Sequence, residues 1–176
     1  MANSRILTFI GALLHGAESR GLTEDETALV PVEMRASIDL SRVRIIDRAH
    51  NPFAIGKILV RRYDIYWPGA PQDFAVVQLS RQALLIHELA HVWQYATGRL
   101  TAFSYLSRRH NWRYRYAVYQ GAVFDDYAVE AQADLVQDWF RVRQGHAPAY
   151  FTGESPSREW LEQTVDFSAP RLRRLG

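Results

Sequence analysis

Two stretches of the chain carry apolar residues at helical spacing with polar side chains set among them, and most of the remaining pattern is short and extended. Residues 80–97 are the first, with Ser80 as the expected N-cap and Gly98 in the C′ position. Apolar residues lie on every side of this segment, the mark of a helix that is buried all round. The second covers residues 127–144, with Asp125 or Asp126 as N-cap and Gly145 as the stop. Upstream, Thr23-Glu24-Asp25-Glu26 forms a capping box, Thr23 capping and Glu26 at N3. The short helix it opens carries Leu29, Val30, Val32 and Met34, and Pro31 distorts or divides it. Val43, Ile45 and Ile46, interleaved with Arg42 and Arg44, predict a strand. His50-Asn51-Pro52-Phe53 is a turn, and residues 58–60 and 63–67 are two more extended runs, closed by Pro68-Gly69.

The ends and the middle are less regular. Within residues 1–20, the run from Arg5 to His15 is too short to span a bilayer and lacks a small-x-small cleavage site. An amphipathic N-terminal helix is expected there, followed by a break between Gly16 and Gly21. Residues 100–109 suggest a short helix, and residues 110–119 an irregular extended segment. Beyond Gly145 come a loop with Pro148, Gly153 and Pro156, a short helix at 157–164 and a basic end, Arg171-Leu172-Arg173-Arg174. The expected class is α+β, mainly α-helical, with a small antiparallel sheet packed on the 80–97 helix. Residues 1–145 form the domain and residues 146–176 a tail.

Composition narrows the function. With 176 residues, 48% of them hydrophobic and 12% aromatic, the chain has material for one core and is not disordered. Its 21 Lys plus Arg against 19 Asp plus Glu give no strong field for a polyanion. The interleaved cations and aromatics of Arg108-Arg109-His110-Asn111-Trp112-Arg113-Tyr114-Arg115-Tyr116 are the one nucleic-acid-like feature. Without a supporting fold motif, a solvated, Arg-stacked loop is the better reading, and nucleic acid is not an expected partner. There is no cysteine, so disulfides and thiolate-bound zinc are excluded; His and carboxylates are the available strong ligands. No segment approaches transmembrane length.

The chemistry lies in His87-Glu88-Leu89-Ala90-His91, an H-E-x-x-H pattern inside the buried helix. Residues four apart stack on one helical face, so both imidazoles reach one ion. Glu88 lies roughly 100° around the helix, able to reach a water on that ion without ligating it. Burying such groups unpaired is costly, so partners are expected. The second helix offers Glu130 and Asp134, again four apart. Glu130 suits a third ligand, and Asp134 suits an acceptor for a ligand imidazole N–H. The bland alternative makes Glu130 and Asp134 a solvated face, with Asp138 and Arg141 forming helical ion pairs. His15, His50, His110 and His146 are individually read as surface or hydrogen-bonded histidines.

H-E-x-x-H followed by E-x-x-x-D on a later helix resembles the gluzincin metallopeptidases. More closely, the two helical sequences are similar to the small bacterial Vgr-related proteins and to the metallopeptidase domain found beside contractile-injection and type VI secretion toxins. The similarity covers about residues 22–144. It implies a minimal zincin-like fold that binds Zn2+ through His87, His91 and Glu130. Glu88 would be the catalytic general base, with Asp134 supporting His87. It also implies an oxyanion donor, for which His146, Tyr150, Tyr127 and His110 are open candidates. Peptide or protein is the implied substrate, and a secretion-system component an implied partner. Residues 63–67 would be the edge strand that pairs with substrate, with Tyr66 and Trp67 either walling a pocket or packing in the core. The alternative is a non-catalytic accessory module in which zinc is a structural staple. The expected location is the cytoplasm, or export through the secretion system.

Overall fold

The computed structural model describes residues 19–52, 55–101 and 115–168. The helix expected at the N-terminus and the one expected at 100–109 lie outside these residues, as do His15, His110 and the basic end. Ser19–Arg20 forms a first strand, β1. Helices α1 (Glu24–Leu29) and α2 (Val32–Arg35) follow, divided at Pro31 as its missing N–H requires. Then come β2 (Arg44–Ile46), β3 (Leu59–Arg61) and β4 (Asp64–Tyr66). The long helix α3 spans Leu79–Ala96, and after β5 (Tyr116–Ala117) the second long helix α4 spans Val129–Arg143. Strand β6 (Phe151–Thr152) and helix α5 (Arg158–Thr164) complete the described chain. The class is α+β with a small sheet.

The sheet differs from the expectation in two ways. Its order is β1-β2-β4-β3, and β2 runs parallel to β4, so it is mixed rather than antiparallel. Consequently β4 is internal, paired with β2 on one side and β3 on the other, and the edge strands are β3 and β1. Sequence alternation marks a strand but not its neighbours, which is why residues 63–67 passed for an edge. Ile45, Ile65 and Val60 form one buried row across the strands, and the sheet meets α3 through β3. Trp67 is core, its ring 4.5 Å from that of Phe74, and Tyr66 lies against His50 at the same separation.

Both long helices start elsewhere than their polar residues suggest. Gln78, not Ser80, caps α3, because the chain is already helical at Leu79. Gln82 ties the entering loop instead, donating to Ala75 O and Val77 O. Ala128 caps α4, because Asp125 and Asp126 are used in a preceding 3-10 turn, Phe124–Asp126. There Asp126 accepts from Val123 N, and Asp125 pairs with Arg99. Gly98 and Gly145 end the two helices with φ of +75° and +80°, as a helix-stopping residue without Cβ does at low cost.

Helices α3 and α4 pack on one another more extensively than any other described pair. On these helices Leu85, Ile86, Leu89, Val92, Trp93, Leu135, Val136 and Phe140 are all buried in the core, each such side chain contributing about 1.5–3 kcal/mol. Residues 146–168 join the same core through Leu161 and Phe167, the latter ring lying 5.3 Å from Trp93 and 5.7 Å from Trp139. This close packing of two polar-bearing helices creates the site.

Candidate metal centre

The i and i+4 spacing on α3 sets the His87 and His91 rings 4.9 Å apart, nearly perpendicular. Glu130, in the first turn of α4, meets both: its Oε2 is 3.2 Å from His91 Nε2 and 3.7 Å from His87 Nε2. One ligand atom from each of the three lies within 4.8 Å of the other two. Glu88 is buried beside them and is not part of that cluster.

The outer contacts determine what these atoms present. Gln94 Nε2 donates to Val129 O at 2.8 Å, and a carbonyl can only accept, so Gln94 Oε1 faces His91 Nδ1 at 2.8 Å. His91 therefore carries its proton on Nδ1, and Nε2 offers a lone pair toward Glu130. Gln132 extends this chain, accepting from Gln94 and donating to Phe124 O. On the other ring, His87 Nδ1 is 3.3 Å from Asp134 Oδ1, without an aligned hydrogen bond. Asp134 Oδ2 is fixed by Arg115 N at 2.7 Å. Arg115 holds that position with φ of +73°, a backbone conformation uncommon outside glycine.

An imidazole lone pair and a carboxylate oxygen at 3.2 Å repel unless a cation lies between them. The three donors, all N or O, form a set that zinc accepts. The residues therefore fit a zinc ion. Without a metal, protons take its place. Burial pulls the His87 pKa down, but Asp134 and Glu130 outweigh it and hold the ring at about 10. Burial likewise opposes, and Glu130 reverses, the shift at His91, which is raised. Burial pushes Glu130 up, yet contact with the two rings holds it at about 2. Burial raises Glu88 against the pull of both histidines.

The donors open on a cavity of about 660 Å³. His87, Glu88, His91, Glu130 and Asp134 line it, together with Ile58, Leu59 and Val60 of the edge-strand region. Asp134 is 3% exposed and Asp138 is fully buried, so the acidic side of α4 is not a solvated face. Asp138 accepts from Tyr116 Oη, Ala149 N and Tyr150 N, while Arg141 stands 3.8 Å away.

No family model matches the chain. Among curated proteins it is similar to the type VI secretion system spike protein VgrG2b of Pseudomonas aeruginosa, 33% identical over 144 residues. That alignment covers 74% of this chain and 14% of the spike protein, so the chain spans a small part of its relative. Among solved structures it resembles the effector domain of Pseudomonas aeruginosa VgrG2b, with a TM-score of 0.58 and 27% identity. Here the match covers 80% of this chain and 85% of that domain. The chain is homologous to that effector domain.

The remaining candidates separate clearly. Tyr150 lines the cavity. Tyr127 does not, and its hydroxyl donates to Ala117 O at 2.8 Å. His146 is exposed just beyond α4 and away from the cavity lining. Tyr66 and Trp67 are absent from the lining too, consistent with their packing roles. Of the Arg/aromatic stretch, Tyr116 is buried and hydrogen-bonded to Asp138, while Arg115 lines the cavity. A buried Tyr116 cannot serve as a base-stacking platform. Sequence reasoning missed Gln94 and Gln132 as the fixing pair for His91. Their signal was available: Gln94 stands three residues past His91, a polar side chain on a helix buried all round.

Proposed function

We propose that this protein is a zinc-dependent peptidase, homologous to an effector domain and delivered through type VI secretion or a related injection system. The observation that carries the reading is the set His87, His91 and Glu130 converging beside a buried, non-ligating Glu88. His87, His91 and Glu130 would hold the ion. When bound, zinc supplies Lewis acidity, lowering the pKa of a water to about 7 and polarising a carbonyl.

The chain's own residues do the rest. Gln94 fixes the His91 ring and Asp134 stands 3.3 Å from His87 Nδ1, so that the nitrogens facing Glu130 remain free to ligate. Glu88, its proton affinity raised by burial, takes a proton from the attacking water and returns it to the leaving amine. Edge strand β3 supplies the backbone beside which an extended peptide would lie, and Tyr150, which lines the cavity where Tyr127 and His146 do not, would be the donor that stabilises the oxyanion. A structural zinc is normally closed by four protein ligands. Three donors beside an open cavity support catalysis over the staple reading.

The test is paired. Wild-type protein should hold one zinc per chain and cleave unfolded protein or peptide, and a chelator should abolish cleavage. Glu130→Ala should lose most of its zinc. Zinc retained in full by Glu130→Ala would remove the ligand assignment, and cleavage indifferent to chelation would remove the reaction.

A further inference from the structure

Gln137 stands seven residues past Glu130 and three past Asp134 on α4, so it shares their face. It lines the same cavity and is 1% exposed. Neither Nε2 nor Oε1 of its carboxamide has a hydrogen-bond partner among the described residues. An apolar side chain would avoid the cost of burying an amide unpaired. Every other polar side chain on this face is engaged: Glu130 with both imidazoles, Asp134 with His87 and Arg115, Asp138 with Tyr116 and two backbone amides. Gln137 alone among them is left with a donor and an acceptor unspent.

We propose that Gln137 is a specificity residue that pairs with the side-chain carboxamide of a glutamine or asparagine in the peptide substrate. This inference rests on the peptidase reading and names a feature of its substrate. A carboxamide presents a donor and an acceptor in one plane, so its natural complement is a second carboxamide, joined by two hydrogen bonds. A carboxylate would leave the Gln137 carbonyl unmatched and would face Glu88, Glu130 and Asp134 across the cavity. An aliphatic chain would leave both atoms unmatched. Depth distinguishes side chain from backbone. Gln137 is 1% exposed against 7% for His87 and His91, so a projecting side chain rather than the substrate backbone is what would reach it.

The experiment measures binding apart from cleavage. Zinc-loaded Glu88→Gln protein is titrated with acetylated, amidated alanine pentapeptides in which one position at a time is Gln, Asn, Met or Glu. At one position the Gln or Asn peptide should bind about tenfold more tightly than its Met and Glu counterparts, the worth of two added hydrogen bonds. In Glu88→Gln/Gln137→Met the preference should vanish, with a melting temperature no lower than that of the parent. Undiminished preference in the double variant, no preference at any position, or no peptide binding would overturn the proposal. So would a marked loss of stability in Gln137→Met, which would assign the amide a structural role. Peptides that bind with the expected preference but are left uncut by wild-type protein would overturn the peptidase reading alone.

Discussion

At the scale of single residues, the site depends on groups that do not touch the proposed metal. His91 is held in one tautomer by Gln94, whose amide is itself fixed by Val129 O and Gln132. A Gln94→Leu substitution keeps the volume and removes the acceptor. Zinc affinity should then fall about 10–100-fold, the usual effect of losing such an outer partner, as measured by competition with a chelating dye. An unchanged affinity would mean that packing alone orients the ring. His87 gives a pH signature. In the metal-free protein its pKa is raised from 6.5 to about 10, so its stabilising contribution is complete below pH 6.5 and lost as the pH rises to about 10. Melting temperature under chelation should therefore decline across that window. Zinc affinity should rise across it, because the ion displaces the His87 proton. A flat melting profile between those limits would show that His87 is not held protonated.

At the scale of elements, one side of α4 organises the site in three steps. Glu130 faces the imidazoles, Asp134 stands beside His87 and accepts from Arg115 N, and Asp138 ties β5 and the Ala149–Tyr150 backbone to the helix. Asp138→Ala leaves two backbone N–H groups and a tyrosine hydroxyl without their acceptor, and should cost about 3 kcal/mol in denaturant unfolding. A cost below about 1 kcal/mol would show that water replaces the carboxylate. The acidic spacing was legible in the sequence, because period and burial together imply which face a polar residue must take. The neighbours of a strand were not legible. Alternation marked residues 63–67 as extended but carried no sign that β2 would pair with them in parallel and leave β3 at the edge. Nor were the caps, since Ser80 and Asp125 are good cap residues that the tertiary structure uses elsewhere or not at all.

At the scale of the molecule, a mixed sheet, two buried helices and the packed 146–168 segment surround one polar cluster that would be costly without a cation. No described helix is long and apolar enough to cross a membrane. Binding an ion to the folded state alone stabilises it, so zinc should raise the melting temperature and chelation lower it, by an amount that grows with free zinc. The homology to the VgrG2b effector domain agrees with the proposed link to type VI secretion. What decides between an enzyme and a zinc-stapled module is Glu88, which ligation does not need and hydrolysis does. The most direct measurement is peptide cleavage by wild-type and Glu88→Gln proteins matched at one zinc per chain. Loss of about 10²–10⁴-fold in kcat at unchanged zinc content is the expected result; equal cleavage by the two proteins would contradict it.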